Sequence, residues 1–493
     1  MSSKQHVIVI GAGFAGLAAA ALLGKAGFRV TILEKNEQPG GRARRWEHDG
    51  FTFDMGPSWY WMPDVFEHFF GLFGKPVSDY YQLVRLDPAY RVFFGPGDYV
   101  DVPADREALY ALFEQHEPGS GPRLKAFLDQ AAYKYEVGMR DYVFRPSHSI
   151  FEFFDLRLIR ESFRIQVFNS MARHVRKFFS HPRLIQLLEF PVLFLGATPQ
   201  NTPALYSMMN HADLTLGTWY PMGGMYEIVK GMVALAREQG VQIELNTEVQ
   251  RIEVQGNLAR RVHTNREVFE ADIVIANSDY QHTDQRLLDP AHRNYSARYW
   301  EQRTMSPSSL LFYIGLDKEL PQIKHHSLFF DEDFDLHAHE IYTEPKWPSK
   351  PLFYLSAVSR TDPDAAPEGC ENLFFLIPLA PGLHDDEALR EQYYHLIMDR
   401  FERIVGEPVR PHVILKRSYA MKDFERDYHS FKGNAYGLAN TLRQTAFFKP
   451  KLKSKHLANF YFTGQLTVPG PGVPPSLISG QIVADEVVKD WRR

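Results

Sequence analysis

The chain has 493 residues, 44% hydrophobic and 23% charged, with a formal net charge of -5. That length exceeds one simple core and predicts two or three domains, while the mild acidity and the lack of an aromatic-and-basic nucleic-acid motif exclude DNA or RNA as the natural partner. A single cysteine, Cys370, excludes an internal disulfide framework and any multi-cysteine zinc or iron–sulfur site, and suits a reducing interior.

The run Val7-Ile8-Val9-Ile10 predicts a buried strand that meets Gly11, Gly13 and Gly16. Gly11 allows a tight turn, Gly13 lets a pyrophosphate approach the following helix N-terminus, and Gly16 allows close helix–sheet packing. The helix is expected from Phe14 to about Ala26, ended by Gly27, with a second strand at Arg29 to Leu33. Glu34 follows, where a carboxylate accepts both hydroxyls of an adenosine ribose, so these parts describe a pocket for the ADP half of a dinucleotide. The glycines interrupt what would otherwise imitate an export signal, and the start reads as structure.

Next, Gly40-Gly41-Arg42 brings backbone and positive charge toward the pyrophosphate. Phe51 to Pro57 reads as a short extended segment and turn, and Ser58-Trp59-Tyr60-Trp61-Met62 as pocket wall or ordinary core. A hairpin is expected from Tyr90-Arg91-Val92-Phe93-Phe94 through Gly95-Pro96-Gly97-Asp98 to Tyr99-Val100-Asp101-Val102. From Asp105 to Leu188 the pattern is mainly helical. Between residues 151 and 190, seven Lys or Arg face four acids among aromatic groups such as Phe151, Phe154, Phe178 and Phe179, a composition suited to an anionic membrane surface. Leu187 to Gly196 is too short and broken to span a bilayer and is a candidate tunnel wall.

Trp219 to Met225 reads as a loop before a helix from Tyr226 to about Gln239. Strands follow at Val241 to Leu245, Val249 to Val254, Val268 to Ala271 and Ile273 to Ala276, the last ending at Asn277-Ser278-Asp279, where an open α/β sheet presents ligand-facing groups. Residues 308 to 316, 351 to 359 and 372 to 379 form candidate strands of a substrate module. At the far end Phe460-Tyr461-Phe462-Thr463 runs into Gly464 and a Gly/Pro loop to Pro475, with Ser476 expected to cap a closing helix to about Lys489. His325, His326, His337 and His339, among Asp331 to Asp335, read as a solvated charged loop rather than metal ligands.

With both ends placed, the chain resembles the bacterial-type carotenoid (phytoene) desaturases, within the flavin amine-oxidase-like FAD-dependent oxidoreductases. The resemblance rests on Gly11-Ala12-Gly13-Phe14-Ala15-Gly16, Gly40-Gly41-Arg42-Ala43, Phe53-Asp54-Met55-Gly56-Pro57, Pro221-Met222-Gly223-Gly224-Met225, Asn277-Ser278-Asp279 and Gly464 through Pro474. It implies an α/β fold: a Rossmann-like FAD-binding domain assembled from discontinuous segments, a mixed-sheet substrate domain and a helical membrane-associating subdomain. The expected segments are 1–75, 201–295 and 431–493 for FAD, 76–104 for the substrate domain's hairpin, 105–200 for the helical region and 296–430 for the substrate domain. Expected FAD contacts are Gly11, Ala12, Gly13, Gly16, Glu34, Lys35, Gly41, Arg42, Gly56, Pro57, Ser58, Val249, Asn277, Gly464, Gly472 and Val473, with no metal.

The implied reaction passes hydride from a long apolar polyene to FAD as a vicinal proton is lost, most directly taking phytoene toward lycopene. No second dinucleotide fingerprint is visible, so electrons are expected to pass to oxygen or a membrane quinone. The proton acceptor is not assigned, and Asp54 reads equally as a loop organiser. Other readings are 3,4-desaturation of hydroxylated carotenoids, a carotene ketolase or isomerase, an amine oxidase, and an isoprenoid-binding escort. The implied location is peripheral, on the cytoplasmic side of the membrane.

Overall fold

The computed structural model describes residues 4–148, 169–195, 198–441 and 443–491. A five-stranded sheet sets the two ends of the chain side by side, in the order Phe460–Phe462, Ile273–Ala276, His6–Ile10, Arg29–Leu33 and Gln242–Glu244. All four pairings are parallel. Strands covered on both faces read as unbroken apolar runs, which explains Val7 to Ile10 and Ile273 to Ala276. The period of two then sorts their side chains. Val7, Val9, Ile273 and Ile275 pack with Leu17, Ala18, Leu477 and Ile478 of two helices. Ile8, Ile10, Val274 and Ala276 pack instead with Ile252, Ala259 and Val262 of an antiparallel sheet built from Val249–Gln255, Leu258–Thr264 and Val268–Glu270.

The two helices are Phe14–Lys25 and Val473–Trp491. They cross closely because Gly480 has no side chain: a Cβ there would lie 2.3 Å from the Ala15 carbonyl oxygen and 2.8 Å from the Ala18 Cβ. The closing helix starts three residues before the expected cap. Pro474 and Pro475 suit its first turn, where a backbone N–H has no helical partner, and the Ser476 N–H already bonds the Gly472 carbonyl at 3.0 Å.

A seven-stranded mixed sheet has the order Val413–Tyr419, Ser308–Leu316, Glu371–Leu379, Phe353–Ser356, His326–Phe329, Tyr90–Gly95 and Asp98–Val102. The strand expected across 351 to 359 is shorter, because the chain turns into a 3-10 helix at Val358–Arg360. One face, with Leu310, Phe312 and Ile314, packs on Ile397 and Phe401 of the helix Glu387–Val405. Trp219–Pro221, expected as a loop, pairs with Leu83–Arg85 as a short strand.

The helical region includes Arg106–His116, Ser120–Val137, Pro182–Glu189 and Met208–Leu214. Phe151 and Phe154, with the rest of the aromatic and basic stretch to residue 168, lie outside the described residues. Phe179 is not on a surface patch: it is 2% exposed and packs edge-on against Phe113 and Phe127. Arg173, Arg176 and Lys177 beside it are exposed. Among the described residues no helix is long and apolar enough to cross a membrane.

The histidine-rich stretch is also not the solvated loop expected. His325 and His326 are buried at the start of a sheet strand, and His337 is buried in the helix Phe334–Tyr342. Its Nδ1 accepts the Leu352 N–H at 3.0 Å and its Nε2 lies 3.1 Å from the Pro378 carbonyl oxygen. Only His339 of the set is exposed. A buried imidazole held between two backbone groups is an ordinary core element, and the acidic neighbours Asp331 to Asp335 misdirect the reading.

Candidate functional site

Between the parallel and the seven-stranded sheets lies a cavity with about 2290 Å3 of space between atoms. Its lining runs from the glycine turn at Gly11 and Gly13 to Tyr354 and Leu376 in the seven-stranded sheet, the span of an elongated cofactor with room beyond it. Every expected FAD contact lines it except Ala12 and Gly16, which sit directly behind the wall. Gly11 takes φ +97° at the turn, and a Cβ on Gly16 would meet the Gly11 carbonyl oxygen at 2.2 Å. Asn277 ties the pieces together: its Nδ2 donates to the Gly11 carbonyl at 3.1 Å, and its Oδ1 would lie 3.1 Å from a Cβ on Gly464.

At one end the groups suit an ADP moiety. Glu34 Oε2 accepts the Ala12 N–H at 2.7 Å, and Oε1 accepts from the Asn36 backbone and side chain at 2.9 and 3.1 Å. With about two lone pairs per carboxylate oxygen, Oε2 keeps one for a ribose hydroxyl. Burial raises the Glu34 pKa, and the Asn36 and Ala12 N–H groups oppose that rise. The helix Phe14–Lys25 opens on the cavity with no acid in its first turn and no capping side chain, leaving its positive end for an anion. Gly472 and Val473 bring the start of the closing helix to the same space.

Arg42 donates to Ser430 Oγ at 2.9 Å and to the Asn434 carbonyl at 3.2 Å, over the Tyr428 ring, while its buried Nε has no partner among the described residues. Desolvation lowers its pKa. Lys35 reaches the Arg426 carbonyl and stands 3.8 Å from Glu248. Desolvation lowers the Lys35 pKa too, and the Glu248 charge opposes it.

The other end is apolar. Ser58, Trp59, Trp61 and Met62 are cavity wall, whereas Tyr60 turns into the core with its hydroxyl 3.0 Å from that of Tyr81. Asp54 is not part of the wall; its oxygens accept the Met225 and Tyr226 N–H groups at 2.8 and 3.2 Å, so it organises the loop entering the helix Tyr226–Glu238. Desolvation pushes its carboxyl up to about 7 against the pull of those two bonds.

A second cavity of about 710 Å3 adjoins the first and shares Tyr354, Leu376 and Tyr436 with it; Phe190, Leu328, Phe330 and Phe334 line its remainder. The sheet register explains the connection. Leu311 pairs with Leu376, Leu376 with Tyr354, and Tyr354 with Leu328, so one row of side chains crosses four strands from the first cavity into the second. At about 4.8 Å between neighbouring strands, that floor is roughly 14 Å long.

Sequence reasoning missed Glu248, Tyr354, Leu376, Asp427, Tyr428, His429 and Tyr436, all of which line the first cavity. The alternation within residues 351 to 359 and 372 to 379 was the only available signal, and it says nothing about which face meets a ligand. Among the described residues no group of three or more His, Cys, Asp or Glu side chains is placed to hold a metal ion.

A carboxylate with a spare lone pair, an uncapped helix N-terminus, a buried guanidinium with an unused N–H and an apolar far end together fit FAD. The family described as flavin containing amine oxidoreductase matches residues 14–488. Over 99% of both chains the sequence is 42% identical to a carotenoid 3,4-desaturase of Haloarcula japonica and 34% identical to a 4,4'-diapolycopene oxygenase of Methylomonas sp. It is 33% identical to a zeta-carotene-forming phytoene desaturase of Myxococcus xanthus, over 98% of this chain and 94% of that one. An oxidoreductase from Methanosarcina mazei has the same fold at 17% identity, with a TM-score of 0.61 over 98% of this chain and 100% of that one. The chain belongs to the flavin containing amine oxidoreductases and, within them, to the bacterial-type carotenoid desaturases. It is an FAD-dependent oxidoreductase of carotenoids.

Proposed function

We propose that this enzyme introduces a double bond near the end of a carotenoid chain, as a 3,4-desaturase, rather than carrying phytoene to lycopene. The observation that carries this reading is the pair of joined cavities. The first takes FAD and the reacting carbons. The second is a small apolar chamber at the end of the floor, walled by Phe190, Leu328, Phe330 and Phe334, and suits a chain terminus rather than a long polyene arm. The full-length likeness to a 3,4-desaturase supports the same step.

FAD supplies the hydride acceptor when bound. Glu34, Arg42, Lys35 and the glycine loops hold its ADP and pyrophosphate, and Gly56, Pro57, Ser58 and Val249 complete the wall as predicted contacts. The row Leu311, Leu376, Tyr354 and Leu328 supports the polyene and keeps water from the reacting carbons. The substrate's insolubility and the exposed Arg173, Arg176 and Lys177 support peripheral attachment to the cytoplasmic face of a membrane, with oxygen or a membrane quinone taking the electrons.

The test is to supply phytoene, lycopene and a hydroxylated carotenoid separately and to analyse products by mass and absorption. The expected result is loss of two hydrogens and a red shift with a conjugated substrate and no turnover of phytoene. Consumption of phytoene to lycopene would instead restore the broader desaturase reading.

A further inference from the structure

We infer that Tyr354 receives the proton lost from the polyene, and that His326 is the positioning residue behind it; this rests on the desaturase reading above. The polar groups of the cavity divide by position. Glu34, Lys35 and His429 stand at the ADP end and are engaged there. Asp54 faces away from the cavity, with both oxygens taken by backbone N–H groups. Two hydroxyls stand where the cavities meet, those of Tyr354 and Tyr436; Tyr436 has Ser309 as its neighbour, whereas Tyr354 belongs to the apolar floor and has an imidazole beside it.

Its hydroxyl oxygen lies 2.6 Å from His326 Nδ1. The His326 ring lies flat on Trp59, with centroids 4.1 Å apart and planes 12° from parallel. Its Nε2 has no partner among the described residues, so the imidazole's one fixed polar contact is to Tyr354. Desolvation and the neighbouring His325 hold His326 well below the ordinary imidazole pKa, which favours the neutral ring. A weak base suffices, because a C–H beside an allylic cation is a far stronger acid than imidazolium.

In the step, bound FAD would supply the two-electron oxidant, accepting the hydride that leaves one carbon of the polyene. The C–H bond of the neighbouring carbon breaks, its electron pair becoming the second bond of the alkene and its proton going to Tyr354 Oη. The hydroxyl's own proton passes to His326 Nδ1, and the imidazolium so formed is stabilised over the Trp59 face.

Three measurements on the FAD-loaded enzyme test this with Tyr354→Phe and His326→Asn. They are FAD retention, the dissociation constant of the desaturated product read from its absorption shift, and the anaerobic single-turnover rate of flavin bleaching. The expected result for Tyr354→Phe is full FAD, product affinity within twofold of wild type, and bleaching slowed by about 100-fold or more, the low end of what a general base contributes. Deuterium at the proton-losing carbon should then give a larger isotope effect than in the wild type. His326→Asn should slow bleaching by at least tenfold with binding equally unchanged. Bleaching within threefold of wild type in Tyr354→Phe, or a slower rate matched by lost product or FAD binding, overturns the proposal. If Tyr354→Phe does not fold, His326→Asn decides by the same criteria. A wild type that no carotenoid bleaches refutes the desaturase reading itself.

Discussion

Gly16→Ala isolates the glycine geometry from the chemistry of the pocket. Gly16 does not touch the cavity, yet a Cβ there would sit 2.2 Å from the Gly11 carbonyl oxygen, 2.7 Å from Asn277 Nδ2 and 3.2 Å from Asn277 Cγ. Neither obstacle yields cheaply: one is backbone, and the other is the amide that ties the Ile273–Ala276 strand to the glycine turn. Restoring an ordinary contact requires a retreat of about 1 Å, and overpacking of this kind costs about 1–3 kcal/mol. The glycine turn and the helix N-terminus together form the anion site, so the displacement falls on cofactor binding. Converted at 1.4 kcal/mol per tenfold, FAD should bind about 5- to 150-fold more weakly.

The assay is titration of apoprotein with FAD, followed by flavin fluorescence, beside Gly71→Ala as a control. Gly71 has nothing within 4 Å of its Cβ position and no positive φ. An FAD dissociation constant within twofold of wild type for Gly16→Ala would refute the close-packing argument. Equal losses in both variants would refute its localisation to the glycine turn.

Leu376→Trp adds bulk at the junction of the two cavities and should abolish binding of a long carotenoid while leaving FAD occupancy intact; unchanged carotenoid binding by absorption shift would mean that the chain does not cross that floor. Asp54→Asn tests the buried carboxyl. In the folded protein its pKa rises from the ordinary carboxyl value of 3.8 to about 7, so between those values the folded state binds more protons than the unfolded one. Its contribution is therefore complete below about pH 4 and is lost as pH rises through 7. The variant should lose less melting temperature than wild type between pH 5 and pH 8, while keeping its bleaching rate. Parallel melting profiles would show that Asp54 is ionised throughout.

Much of the ADP pocket was legible because its logic is local. Gly11, Gly13, Gly16 and Glu34 lie within one strand–helix–strand unit, and the strands Arg29–Leu33 and Ile273–Ala276 fall where their apolar runs place them. Local rules also competed and misled. Ser476 is a good cap by residue type, but Pro474 and Pro475 in the first turn took the helix start to Val473. His326 looked solvated beside Asp331 to Asp335, yet its pairing with Ser356 draws it into the sheet.

The far end of the site was not legible because it is written in register. Leu311, Leu328, Tyr354 and Leu376 belong to four strands with no common spacing, and they become one floor only when antiparallel pairing sets them opposite one another. A slip of one residue in any of these strands would turn its member toward the helix Glu387–Val405 and put a different side chain over the cavity. The choice of carotenoid thus depends on strand pairing more than on any motif. The same register that stretches an apolar floor past the cofactor also sets Tyr354, backed by His326, at the junction of the two cavities.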